Sequence, residues 1–206
     1  MEMSEKQIVD FWFDPLCPFA WLTSRWMLEV EQVREVETRF HPMSLALLNA
    51  GREGLPDDYR KMMETVAWYG ARAAIAVQLR HGDAAVREFY TAIGTRYHLH
   101  DEPRSPETVR AALVDCGLDS SIADAVTGDQ WDAELAASHH AGMDPVGNDV
   151  GTPVIRIDGH SIFGPVLSPI PRGEAAGRLF DAVSICAGYD EFFELKRTRT
   201  VGPIFT

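Results

Sequence analysis

A chain of 206 residues with 46% hydrophobic and 24% charged residues has the make-up of a globular protein with a full core, either one domain or a core with an inserted subdomain. Its net charge of −12 argues against a nucleic-acid partner, which needs a basic footprint, and no apolar run approaches the roughly 18 residues of a membrane span. Cys17, Cys116 and Cys186 are too few and too widely spaced for a disulfide framework, and the start MEMSEKQIVDF lacks the basic and apolar regions of a secretory leader; a reducing cytoplasm is therefore expected.

In chain order, Ile8, Val9, Phe11, Trp12 and Phe13 read as a strand, and Asp14-Pro15 as a turn. Cys17-Pro18 then opens a helix, since proline suits the first helical position. Trp21–Val36 continues with helix formers, and Val36–Leu48 returns to an extended pattern with Pro42 at a strand end or bulge. Strand, helix and strand within about fifty residues make a βαβ unit. Asn49–Pro56 is a polar connection.

No convincing strand follows until about His140. Helical periodicity covers Asp57–Leu79 and Ala84–Tyr97; Ser105-Pro106-Glu107 caps a helix over Thr108–Cys116 that Gly117 stops; Asp119–Val126 and Gln130–Gly142 complete the set. This block interrupts an α/β pattern and reads as an all-α insertion. Val154, Ile155 and Ile157 then form a strand, Asp158-Gly159 a hairpin turn, Ile162-Phe163 the return strand, and Ile170–Ala187 a last helix beginning near Pro171. Tyr189–Thr206 reads as an irregular tail. The expected architecture is α/β, with a core of residues 1–50 and 148–206 and a helical insertion at 51–147.

The chemistry centres on Cys17. A thiol at a strand-to-helix junction faces unpaired backbone N–H groups and the positive end of the helix dipole, which favour the nucleophilic thiolate. Cys116 and Cys186 fit apolar helix faces and read as core. Trp21 reads as a core aromatic, while Phe19 either flanks a flat substrate or packs in the core. Asn49 and Tyr59 follow the second strand, where open α/β folds bind ligands; the alternative is a loop cap and a packing tyrosine. His98 and His100 would share a face on a strand, but two histidines without a further ligand are no metal site, which leaves His98 as a pocket-lining candidate. His139-His140 sit where an imidazolium would cap a helix C-terminus. Lys196, Arg197 and Arg199 are either a solvated tail or a clamp on a partner subunit or an anionic thiol cofactor.

Taken together, the segments DFWFDPLCP, SHHAGMD, VGTP, FGPVLS, IPRGE and FFELKRTRT resemble those of the mycothiol-dependent nitroreductase group of bacterial DsbA-like proteins. More distantly the chain is similar to kappa-class glutathione transferases and hydroxychromene-carboxylate isomerases, which share the helical insertion. The resemblance implies a thioredoxin fold with the insertion between its βαβ and ββα halves. It implies Cys17 as the catalytic nucleophile, Pro18 beside it in the motif, and a cis bond at Thr152-Pro153 that sets the Thr152 backbone against the sulfur to pair with a thiol ligand. It also implies mycothiol as a low-molecular-weight thiol cofactor, a disulfide or electrophilic substrate such as a nitroaromatic, and a mycoredoxin-type protein as a reductant; the assembly state, a homodimer among the options, stays open.

One departure matters. The family motif is Cys-Pro-Trp-Cys, whereas this chain reads Cys17-Pro18-Phe19-Ala20, with alanine at the resolving position. A lone thiol forms mixed disulfides or adducts but cannot close an internal disulfide, so a second thiol must come from outside. Two alternatives stay open: a transferase or isomerase in which a bound cofactor thiol is the nucleophile, and a redox-silent binding module.

Overall fold

The structure, a computed structural model, describes residues 6–205; the reading of the N-terminal segment as leaderless rests partly on Met1–Glu5, which lie outside them. Four strands form one sheet in the order β2-β1-β3-β4. The central strand β1 (Gln7–Phe13) pairs parallel with β2 (Val36–Pro42) and antiparallel with β3 (Val154–Ile157), which pairs antiparallel with β4 (His160–Phe163). A central strand is covered on both faces, which is why β1 is a nearly unbroken apolar run; β2, at the edge, alternates buried and exposed residues. Asp158 and Gly159 both take positive φ (+50° and +88°), the backbone of a tight two-residue hairpin turn.

Helix α1 (Pro18–Val30) crosses from β1 to β2, and α9 (Gly173–Ala187) closes the core half. The two pack through Trp26, fully buried, whose indole N–H donates to Ala176 O at 3.1 Å. Burial of so large a ring is worth on the order of 2–3 kcal/mol. Arg34, beyond α1, clasps Glu174 and Asp181 of α9 at 2.9 and 2.8 Å. This topology is a thioredoxin-like α/β fold with extra helices.

The extra helices lie between α2 (Leu45–Leu48) and β3: α3 (Asp57–Glu64), α4 (Ala67–His81), α5 (Asp83–Gly94), α6 (Pro106–Asp115), α7 (Ile122–Ala125) and α8 (Asp132–Met143). They share a core with the sheet. Phe13 of β1 stacks on Tyr90 of α5 with centroids 3.8 Å apart, and α4 and α5 supply Ile75, Val77, Phe89 and Ile93 to the same apolar cluster. Arg72 of α4 forks onto Asp132 of α8 at 2.7 Å and donates to Val126 O, so the buried guanidinium is satisfied. Among the described residues no helix is long and apolar enough to cross a membrane.

Several boundaries differ from those expected. Helix α1 stops at Val30, and the extended stretch expected to reach Leu48 ends at Pro42, after which the Ser44 hydroxyl caps α2 by accepting Leu47 N–H at 3.2 Å. The helix expected over Asp57–Leu79 is two helices, broken at Thr65, whose backbone leaves the helical region. The helix expected to reach Tyr97 ends at Gly94 and widens into a π-helical turn, Thr95–Leu99. Residue 94 has to be glycine there, because a Cβ would lie 2.2 Å from the Trp21 ring. His98 therefore sits on a π turn and not on a strand. The last helix begins at Gly173, after Ile170-Pro171-Arg172.

Candidate functional site

The end of β1 delivers Asp14, fully buried, into the turn before α1. Its carboxyl oxygens accept Leu16 N–H at 2.8 Å and Leu45 N–H at 2.7 Å, which ties the turn to the start of α2. Cys17 N–H donates to Asp14 O at 2.9 Å, and Cys17 itself is the extended N-cap of α1, followed by Pro18. This places the sulfur at the helix N-terminus: Sγ accepts Ala20 N–H at 3.4 Å.

From the opposite side comes the segment before β3. Thr152 Oγ1 donates to Trp12 O at 2.8 Å, and the Thr152–Pro153 bond is cis. The Thr152 carbonyl so placed accepts the Cys17 S–H at 3.3 Å.

The electrostatics depart from expectation. Cys17 is 9% exposed, and burial pushes its thiol up to about 11. The Ala20 and Phe19 amides and the Arg199 guanidinium favour the thiolate, while the neighbouring Asp14 carboxyl disfavours it. The helix terminus acts in the expected direction, but desolvation outweighs two backbone amides, and the closed site holds a neutral thiol. Burial likewise pushes Asp14 up to about 7, against the two amides that hold its charged form.

Other residues singled out in the sequence gather nearby. Pro18 and Phe19 are half-buried at the start of α1, with the Arg199 guanidinium 4.9 Å from the Phe19 ring centroid. Trp21 is a core residue, 3% exposed, edge-on to Tyr90 at 5.6 Å and covered by Arg25 at 4.1 Å. Asn49 is buried and donates to Leu45 O at 2.8 Å. Tyr59, on α3, is half-buried, and its phenol is pushed up by burial and by the charges of Asp14 and Cys17. His98 Nε2–H donates to Pro15 O at 2.9 Å, fixing the tautomer, and burial lowers the ring to about 4, so it is neutral. His100 is exposed.

His139 corrects the capping reading. It is buried, accepts Ser44 N–H on Nδ1 at 3.4 Å, and is lowered to about 4 by burial, so it is a neutral core acceptor; His140 is the one that pairs with an acid, Asp144, at 2.9 Å. Cys116 and Cys186 are half-buried and, like Cys17, free. Sequence reasoning took Asp14 for a turn residue only. The signal in hand was a carboxylate between an apolar strand and the cysteine, a place where a charge is costly without donors. It also left the tail unplaced. The Phe205 ring stacks on His98 at 5.7 Å, and the Ser168 hydroxyl donates to Gly202 O and accepts Ile204 N–H, both at 2.9 Å.

A cysteine N-capping the first helix of a thioredoxin-like sheet, against a threonine carbonyl before a proline, defines a protein of the DsbA-like class. The chain belongs to the Rv2466c-like family, described as that of the mycothiol-dependent nitroreductase Rv2466c, whose model matches residues 16–197. It is 32% identical over 197 residues to the uncharacterized protein Rv2286c of Mycobacterium tuberculosis (strain ATCC 25618 / H37Rv), covering 93% of this chain and 82% of that protein. Two solved structures share the fold. A 2-hydroxychromene-2-carboxylate isomerase has a TM-score of 0.60 at 19% identity, over 86% of this chain and 93% of that one. The DsbA of Chlamydia trachomatis has a TM-score of 0.58 at 12% identity, over 88% of each chain.

Proposed function

We propose that this protein is a thiol-dependent oxidoreductase whose reacting sulfur is Cys17, with mycothiol as the external thiol and a disulfide or a nitroaromatic electrophile as substrate. The observation that carries the reading is the placement of Cys17 Sγ at the N-terminus of α1 and 3.3 Å from Thr152 O, in a chain of this family. Entry of a ligand displaces the S–H from Thr152 O, and the thiolate forms beside the Ala20 and Phe19 amides. It attacks one sulfur of a disulfide and releases the other as a thiolate, and mycothiol then attacks the mixed disulfide and frees Cys17. For a nitroaromatic, two thiols become one disulfide while two electrons and two protons pass to the nitro group, which leaves a nitroso group and water. Because Ala20 cannot resolve the adduct, each turnover draws its second thiol from solution, and a mycoredoxin-type protein suits the recycling step. Phe19, Asn49, Tyr59, His98 and the Thr152-Pro153 backbone are the proposed pocket walls, with Pro18 and Trp21 fixing the start of α1. The three free cysteines suit a reducing compartment, in keeping with a cytoplasmic protein.

One observation favours a second reading. Cys17 is held as a hydrogen-bond donor, and a protonated Cys17 could donate to the thiolate of a bound cofactor that is itself the nucleophile, as in a transferase or isomerase. Cys17→Ser separates the two, because a hydroxyl still donates but does not form a mixed disulfide. The oxidoreductase reading expects loss of mycothiol-dependent turnover and of the mixed-disulfide mass. Retention of most of the turnover overturns it in favour of the second.

A further inference from the structure

We propose that Arg199 is the electrostatic partner of the Cys17 thiolate, carried by the C-terminal tail onto the face of Phe19, two residues along α1 from the sulfur. The proposal rests on the reading of Cys17 as the reacting sulfur. After α9 the chain forms no further helix or strand among the described residues, yet it is fastened to the body. The Ser168 hydroxyl bridges Gly202 and Ile204, and Phe205 stacks on His98, whose ring is in turn bonded to Pro15 O in the turn before Cys17. Between α9 and these anchors lies Arg199, its guanidinium 4.9 Å from the Phe19 ring centroid.

That guanidinium enters no ion pair among the described residues, whereas Arg34, Arg72, Arg87 and Arg96 each hold a carboxylate. An unpaired arginine over an aromatic face keeps its charge and its fork of donors available. The other ionisable groups around the sulfur cannot replace it. Asp14, from the turn, opposes ionisation; Tyr59 of α3 and Tyr90 of α5 have phenols raised by burial and stay neutral; His98 of the π turn is neutral. In a chain of net charge −12 the average field also opposes a thiolate, so a cation delivered locally changes the balance. Arg199 acts through the sulfur, as a positioning residue, and does not itself take part in bond making.

The test is the pH dependence of Cys17 alkylation by iodoacetamide in the full chain, read by peptide mapping so that Cys116 and Cys186 are scored separately. The series is the parent chain, Arg199→Lys, Arg199→Ala and Arg199→Glu. Expected is an order set by charge: Lys close to the parent, Ala about three- to tenfold slower at pH 7.5, Glu slower still, all converging at high pH once the thiol is ionised in every variant. Identical profiles across the series overturn the proposal, as does an equal loss in Lys and Glu, which would mark a packing role for the tail. This outcome is separate from the function assignment. Turnover retained in Cys17→Ser removes Cys17 as the reacting sulfur whatever the charge series shows, and a flat charge series removes Arg199 while leaving Cys17 reactive.

Discussion

The Cys17 S–H meets the Thr152 carbonyl oxygen at 3.3 Å, across 135 residues of chain. The contact exists because two segments are pinned to the same strand. Asp14 and the α1 N-terminus extend from the end of β1, and Thr152 is bonded through its hydroxyl to Trp12 O within β1. The sulfur is thereby held as a neutral donor.

The first prediction follows from that state. With the thiol held up to about 11, iodoacetamide should react with Cys17 slowly at pH 7 and about tenfold faster per unit of rising pH. The stability consequence has a definite sign. A thiol whose folded value lies above its ordinary value of about 8.5 favours the folded state below that pH, and this contribution is lost as pH rises through about 11. Denaturant midpoints between pH 8.5 and 11 should fall more steeply in the parent chain than in Cys17→Ala.

Asp14 gives the second. Its folded value of about 7 lies above the ordinary carboxyl value, so its neutral form contributes stability below about pH 4 that is lost as pH rises to 7, by on the order of 4 kcal/mol. His98, lowered to about 4, has the opposite dependence: its contribution is present above about pH 6.5 and lost as pH falls through 4. His139, also lowered to about 4, has the same dependence as His98, so over pH 4–6.5 one carboxyl opposes two histidines and the parent chain should lose stability as pH falls. Asp14→Asn should steepen that loss, and His98→Phe should flatten it by leaving His139 alone against Asp14, both read as urea midpoints across that range.

The third concerns Gly94. A methyl group there would lie 2.2 Å from the Trp21 ring, which Arg25 and Tyr90 hold on two sides. Gly94→Ala should cost about 1–3 kcal/mol and change the near-ultraviolet circular dichroism of the indole. An unchanged midpoint would show that Trp21 has room to move.

The fourth restores the missing thiol. Ala20 is fully buried one turn along α1, with its N–H on Cys17 Sγ. Ala20→Cys should close a disulfide with Cys17 on treatment with oxidised dithiothreitol, releasing the reduced reagent, and the count of free thiols should drop from four to two. A count that stays at four would mean that the helix start cannot take the dihedral angle a disulfide requires.

Much of this was legible in the chain itself. β1, the βαβ unit, the Asp158-Gly159 hairpin and the helical stretch between the two halves follow from apolar periodicity and turn chemistry, which are local. Cys17 as an N-cap with Pro18 behind it was equally local. Where the reading slipped, a distant partner decided. The turn at Thr95–Leu99 is wide where Trp21 presses on Gly94, and α2 is a helix because Ser44 caps it while Asp14 takes Leu45 N–H.

The ionisation of Cys17 shows the division most plainly. Sequence alone placed a cysteine at a helix start and gave the sign of the amide effect, because both depend on residues within one turn. Only the tertiary structure decided how much water the sulfur keeps, which side of it Thr152 occupies, and that the tail returns Arg199 to Phe19. Desolvation and long-range charge are sums over the whole surroundings of an atom, and no stretch of sequence contains those surroundings.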